Sequence, residues 1–306
     1  MCMTITDKYI DPFTDFGFKH IFGTEENKRF LISFLNDLLD IKDKIIDIEY
    51  RNLEKMGLSI SDRKAIFDVY CTDEKNNKFI VELQRSKQEY FKDRSVYYTT
   101  FPIQEQSKKG FWNYQLKHIY FVGILEFKIN NDNEDKYLSK VQLMDTKTKE
   151  PFYDKLTYYY IEMPKFKKRE AELATHLDYW LWYLNNLAKT QIIPEALKED
   201  ELIKDAFDVA EFLALDKEKQ FTYQQNLKAR LDYVNVMNYA RKEAREEGLE
   251  KGLEKGLEQG LEQGEKNKSI EIVKNMLFAK LDIGLISKTT GLLEEEINII
   301  KKDLKD

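Results

Sequence analysis

"KAIFDVYCTDEKNNKFIVELQ", residues 64–84, places an acid in the middle of each of two apolar runs. Asp68 sits inside A-I-F-D-V-Y-C and Glu82 inside F-I-V-E-L-Q, with the polar stretch T-D-E-K-N-N-K between them. Short runs rich in β-branched and aromatic residues on either side of a polar break predict a β-hairpin. Because alternate side chains of a strand share a face, Phe67, Val69 and Cys71 are expected to point one way, and Ile66, Asp68 and Tyr70 the other. On the second arm Phe79, Val81 and Leu83 share a face, opposite Ile80, Glu82 and Gln84. Pairing centred on Lys75 sets Asp68 directly across from Glu82, and a slip of two residues keeps both acids on one face.

Two facing carboxylates are costly. At about 4 Å they repel by roughly 4 kcal/mol at an effective dielectric of 20, and like charges directly opposite destabilise a sheet. A divalent cation between them reverses the sign. Oxygen-only ligands suit Mg²⁺ or Mn²⁺ rather than zinc, and a chain with three His and two Cys has few zinc ligands to offer. Such a metal polarises a phosphoryl oxygen and lowers the pKa of a bound water. Gln84 lies on the face of Glu82, where it can orient that water or a phosphate oxygen. Glutamine is neutral, so the charge of a phosphoryl transition state needs another partner, for which Lys19 and Arg94 are candidates.

Working outward, the first forty residues predict helix after an extended lead-in ending at Asp11-Pro12. Thr24, followed by Glu25 and Glu26, makes a helix start with acids in its first turn. Phe30, Leu31, Phe34, Leu35, Leu38 and Leu39 then recur at helical spacing. Strands are predicted at 45–50, 65–71, 79–84, 119–125, 141–144 and 157–163, with a polar helix at 88–109. Helix, hairpin, helix and strand in that order predict an α/β sandwich around a central sheet. From Lys167 the pattern becomes helical throughout, with apolar stripes at Leu173, Leu177, Trp180, Leu181 and Leu184 and at Phe207, Ala210, Phe212 and Leu213.

Residues 248–264 repeat G-L-E-K or G-L-E-Q every four residues, which keeps Leu249, Leu253, Leu257 and Leu261 on one slowly drifting stripe of a helix. Each interior glycine costs about 1 kcal/mol, so this segment either packs on a second copy or is a flexible charged linker. The tail, 268–306, predicts three short helices broken at Thr290-Gly291. That spacing suits a helix-turn-helix, but Glu294, Glu295 and Glu296 would face a DNA duplex from the first turn of the last helix. A protein-contact or oligomerisation element is the reading we favour. The expected divisions are 1–165, a core; 166–245, a helical layer; 246–267, the repeat; and 268–306, the three-helix module.

The 306 residues are 42% hydrophobic and 34% charged, with a net charge of −6. No stretch predicts a membrane span, the N-terminus has no secretory pattern, and Cys2 and Cys71 make no disulfide framework. A cytoplasmic location is expected. The acidic total hides a local excess: from Arg85 to His118 there are seven Lys or Arg against three acids. Arg94, with Tyr97 and Tyr98 nearby, fits either core-flanking packing or a phosphate contact beside stacking rings. His20, His118 and His176 follow no ligand spacing and read as structural.

Asp68, a short hairpin and then Glu82-Leu83-Gln84 resemble the PD-(D/E)xK nuclease core in its E-x-Q variant. With "DPFTDFGFKHIFG", "IVELQ", "DRSVYYTTFPIQEQSKKGFWNYQLKHIYFVGIL" and the G-L-E-K repeat, the whole chain resembles the Rpn-type recombination-promoting nucleases, a transposase family. The resemblance implies a restriction-endonuclease-like α/β core, a central mixed sheet flanked by helices, with an added helical layer and a small C-terminal helical module. It implies a Mg²⁺- or Mn²⁺-dependent DNA endonuclease of the bacterial cytoplasm, linked to recombination, mobile elements or phage defence. The alternative is a catalytically weak or inactive DNA-binding or regulatory protein of a mobile element. Carried over by position, Asp68 and Glu82 match the metal carboxylates and Gln84 the usual lysine, while Asp15 and Lys19 match the D-x-x-F-K motif. Asp15 and Arg94 are candidate DNA contacts, and a homo-oligomer through residues 248–306 is the candidate assembly. The plain readings are a surface lysine for Lys19, a helix cap for Asp15, and solvent-facing acids for Asp68 and Glu82.

Overall fold

A computed structural model describes residues 8–55, 65–107, 113–129 and 134–304; Cys2, Lys108 and Lys109 lie outside them. It divides into two compact units, Met1–Arg230 and Leu231–Asp306.

In the first unit, helix α1 (Asp15–Phe22) is capped by Thr14, whose side chain accepts from the Gly17 amide. The cap is therefore Thr14, with Asp15 in the first turn. At Gly17 the α1 backbone comes close to the Asp11 carbonyl, 2.2 Å from where a Cβ would sit, so no larger residue fits. Helix α2 (Lys28–Leu38) starts later than the Thr24 cap predicts, because Glu25–Asn27 forms a 3₁₀ turn. Asn27 ties that turn down by donating to the His20 carbonyl at 2.7 Å. The apolar spacing of α2 holds: Phe30, Leu31, Phe34, Leu35 and Leu38 are all buried.

Strand β1 (Ile48–Tyr50) is followed by a two-stranded piece, β2 (Glu54–Lys55) with β3 (Ala65–Ile66), and then by the hairpin β4 (Val69–Asp73) and β5 (Lys78–Gln84). Val69 pairs with Val81, Tyr70 with Ile80 and Cys71 with Phe79, which is the register centred on Lys75. Helix α3 (Phe91–Glu105) carries the chain to β6 (Ile119–Leu125), which lies parallel to β5. Strands β7 (Leu138–Met144) and β8 (Pro151–Glu162) complete a six-stranded mixed sheet in the order β1-β4-β5-β6-β8-β7. β5, β6 and β8 run parallel at its centre, and β1, β4 and β7 run antiparallel to their neighbours.

Both faces of the central strands are covered, so β6 is apolar and buried throughout, and β5 is buried from Phe79 to Gln84 even at its polar positions Glu82 and Gln84. On one face Val69, Cys71, Phe79, Val81, Leu83, Val122 and Ile124 pack against α1, α2 and the helices α4 (His176–Asn186) and α6 (Glu201–Val209). Between those two helices, α5 (Glu195–Lys198) contributes Leu197 to the same core. Trp180 is fully buried there beside Phe22, Phe30 and Phe34. On the other face Tyr70, Ile80, Phe121, Tyr158 and Tyr160 pack beneath α3. This is an α/β core with an added helical layer, as expected. Two details differ. Phe67 joins Tyr70 and Ile80 instead of Val69, because the chain bends at residues 67–68 between β3 and β4. Leu213 is 80% exposed, while Phe207, Ala210 and Phe212 are buried.

Helix α7 (Lys217–Phe278) leaves the first unit and contains the four-residue repeat. In the second unit α8 (Ile283–Thr290) ends at Gly291 in the left-handed conformation, φ 74°, and α9 (Glu294–Asp303) follows. Val273, Ile286 and Ile297 make its small core.

Candidate active site

Beyond Val69 and Val81 the β4–β5 ladder changes character. The bend at Asp68 removes one main-chain partner, and the two acids take its place. The Leu83 amide donates to Asp68 Oδ2 at 2.7 Å, and the Asp68 amide donates to Glu82 Oε1 at 3.2 Å. Each carboxylate is thus fixed by a backbone N–H of the opposite arm. Asp68 keeps its second oxygen without a hydrogen-bond partner among the described residues, and Glu82 Oε2 lies 3.6 Å from the Arg94 guanidinium.

The location explains the cost of this arrangement. Glu82 and Gln84 are only 4% and 6% exposed, at the carboxyl end of a central parallel strand and on its α3 face. Ligand sites of open α/β sheets lie at such strand ends. Burial, then the nearby Asp68 charge, pushes the Glu82 carboxyl up to about 8, while Arg94 pulls the other way. Burial also raises Asp68, partly offset by its bond from Leu83. The solvent-facing reading of Glu82 is therefore overturned: the acids lie where two helical layers meet the sheet.

Asp68 opens into a cleft of about 490 Å³ lined also by Asp15, Lys19, His20, Arg51, Lys219, Thr222 and Asn226. Lys19 pairs with Asp15 at 2.8 Å across one turn of α1, and both act electrostatically on Asp68. The fold thus gathers Asp15, Lys19, Asp68 and Glu82 at one end of the sheet. Gln84 donates through Nε2 to the Ser86 carbonyl at 3.1 Å and accepts through Oε1 from Arg94. Arg94 donates also to Gln88 Oε1 at 2.9 Å and lies over the Tyr98 ring at 5.3 Å. Tyr98 meets Phe67 edge-on, whereas Tyr97 is exposed.

The cationic stretch is split. Arg85 acts electrostatically on Asp68 and Arg94 reaches Glu82, but Lys117 and His118 precede β6 and line a different, polar cleft at the other end of the strands. Arg51, Lys219, Thr222 and Asn226 line the cleft although no local motif marks them; only the fold brings α7 and the β1 edge to Asp68. Helix α7 is held there by Arg230, which pairs with Asp11 at 2.7 Å and Glu126 at 2.6 Å.

Two interlocked carboxylates, Asp68 with one oxygen unbonded among the described residues and Glu82 with its second oxygen beside Arg94, offer oxygen ligands of the kind a hard divalent cation takes while keeping most of its water. No third acid, His or Cys joins them in a metal-sized cluster among the described residues. No helix among them is long and apolar enough to cross a membrane. Residues 12–240 match the family model described as PD-(D/E)XK nuclease family transposase. No curated protein and no solved structure matches significantly.

Proposed function

From the premise that the chain belongs to the PD-(D/E)XK nuclease family transposases, we propose that it is a Mg²⁺- or Mn²⁺-dependent DNA endonuclease. The observation that carries this reading is the interlocked Asp68–Glu82 pair at a strand end, Glu82 buried and Asp68 half-buried and open to a cleft. Asp68 and Glu82 would hold the metal, which supplies charge stabilisation and a water of lowered pKa. The chain's own part is positional. The hydrogen bonds from Leu83 and Asp68 fix both carboxylates before a cation arrives, so little reorganisation accompanies binding. Lys19, Arg51 and Lys219 give the cleft cations suited to a phosphate backbone, with Asp15 orienting Lys19. A role in recombination, mobile elements or phage defence and a bacterial cytoplasmic home follow from the same reading. We also propose self-association through residues 248–306.

Asp68→Ala and Glu82→Ala should each lower nicking of supercoiled plasmid in Mg²⁺ or Mn²⁺ by about 100-fold or more, while both variants still fold and melt cooperatively. Unchanged nicking by both variants overturns the assignment. Salt-dependent DNA binding without cleavage in any divalent metal would select the inactive, regulatory alternative.

A further inference from the structure

Position 84 holds a neutral amide where a nuclease of this design needs a cation, yet the site does contain one. Arg94 reaches it from α3, on the face of the sheet that also carries Glu82 and Gln84. Three groups fix its guanidinium. Gln84 Oε1 and Gln88 Oε1 accept from different terminal nitrogens, and the Tyr98 ring lies beneath. The Gln84 amide is itself oriented, because its nitrogen donates to the Ser86 carbonyl and leaves the oxygen to face Arg94. The arginine side chain is 32% exposed, beside a buried carboxylate.

A lysine at position 84 would place an ammonium against this guanidinium. A glutamine accepts from it instead. The residue that departs from the expected motif and the arginine are therefore a matched pair, and each accounts for the other. Resting on the nuclease reading above, we propose that Arg94 is the catalytic cation of this site and that Gln84 is the residue that positions it. In hydrolysis the water oxygen forms a bond to phosphorus while the bond from phosphorus to one sugar oxygen breaks. The leaving oxygen keeps the electron pair and takes a proton, the second water proton goes to solvent, and a phosphate monoester remains. Negative charge grows on the phosphoryl oxygens and the leaving oxygen, where a fixed guanidinium fork is effective. Lys19, already paired to Asp15 on the other side of the sheet end, is left to bind backbone phosphates.

The test uses the full chain and five variants: Arg94→Ala, Arg94→Lys, Gln84→Ala, Gln84→Lys and the double variant Gln84→Lys with Arg94→Ala. Cleavage kinetics on plasmid in Mn²⁺ are compared with duplex binding in Ca²⁺ over a salt series and with thermal melting. Arg94→Ala should lower kcat by about 100-fold with KM and duplex affinity within threefold. Gln84→Ala should lose less, and Gln84→Lys alone should also lose rate, because two cations crowd one place. The double variant, with the cation moved to the strand, should regain at least tenfold over Arg94→Ala. Arg94→Lys covers the case in which the alanine variant melts early, and should keep an intermediate rate. The proposal is overturned if Arg94→Ala cleaves within threefold of wild type, if its loss follows duplex affinity, or if the double variant recovers nothing. A wild-type chain that cuts no DNA overturns the nuclease reading itself and this inference with it, whereas normal cutting by Arg94→Ala removes this inference alone.

Discussion

Ionising Glu82 is costly in the folded chain, because burial and the Asp68 charge outweigh the pull of Arg94. A carboxyl held near 8 in the folded chain by burial and by Asp68, against 4.5 when free, keeps a proton that the unfolded chain has already lost. Between those values the folded state binds more protons, so stability falls as pH rises. The slope is at most about 1.4 kcal/mol per pH unit. Metal-free protein should therefore melt at a lower temperature at pH 8 than at pH 5, and Glu82→Gln should flatten that trend. Added Mn²⁺ should raise the melting temperature more at pH 8, since a cation takes the ionised carboxylates. A parallel pH trend in wild type and Glu82→Gln would assign the effect elsewhere. The register that brings the two acids near each other was legible because a strand has period two and the hairpin is symmetric about Lys75. The burial of Glu82 was not, because only the placement of α3 over the Ile80 face of β5 creates it. Arg94 could be named as a candidate charge, but its link to Gln84 depends on how α3 is rotated, which a weakly amphipathic sequence does not specify.

At the scale of elements, α3 shows how a polar helix is held on a sheet. Its buried face includes Ser95 and Thr99, which meet two tyrosine hydroxyls from β8: Ser95 Oγ with Tyr160 at 2.7 Å, and Thr99 Oγ1 with Tyr158 at 2.8 Å. Ser95 and Thr99 also donate to the carbonyls of Lys92 and Val96, so neither loses every partner when a tyrosine hydroxyl is removed. Tyr158→Phe combined with Tyr160→Phe should cost about 2 kcal/mol, near 1 per hydroxyl, in urea unfolding. Since α3 carries Arg94, the same variant should cleave more slowly at temperatures where it remains folded. A loss in stability with no change in rate would mean that these bonds do not set the position of Arg94. The sequence reading succeeded where an element is buried on both sides, as in β6, whose limits 119–125 were those predicted. It fell short at exposed ends: β8 begins at Pro151 instead of 157 because its first half is mostly uncovered and lacks a continuous apolar run. The bend at 67–68 was missed for a related reason. A-I-F-D-V-Y-C alternates well enough to pass for one strand, and only Phe67 crossing to the α3 face reveals the break.

For the whole molecule, the repeat in α7 leaves an apolar stripe without a partner among the described residues. Leu249, Leu253, Leu257 and Leu261 are 75%, 75%, 67% and 63% exposed. A Cβ at Gly248, Gly252, Gly256, Gly260 or Gly264 would meet nothing within 4 Å. Inside a helix those glycines each cost about 1 kcal/mol relative to alanine. In a four-residue repeat the glycine, leucine, glutamate and lysine or glutamine positions form four stripes about 100° apart. A second copy laid alongside in parallel would seat leucines over glycines and bring the glutamate stripe of one helix beside the lysine–glutamine stripe of the other. An antiparallel copy would set like stripes together. A period above 3.6 favours a right-handed crossing. Sedimentation equilibrium of the full chain should then give a dimer that Leu253→Lys with Leu257→Lys converts to monomer, leaving the melting of the first unit unchanged. High salt should weaken the wild-type dimer only modestly, because the leucines carry most of the association and exposed charge pairs little. A wild-type chain that sediments at the mass of one copy, or a double-lysine variant that stays dimeric, would return the repeat to the role of a charged connecting helix.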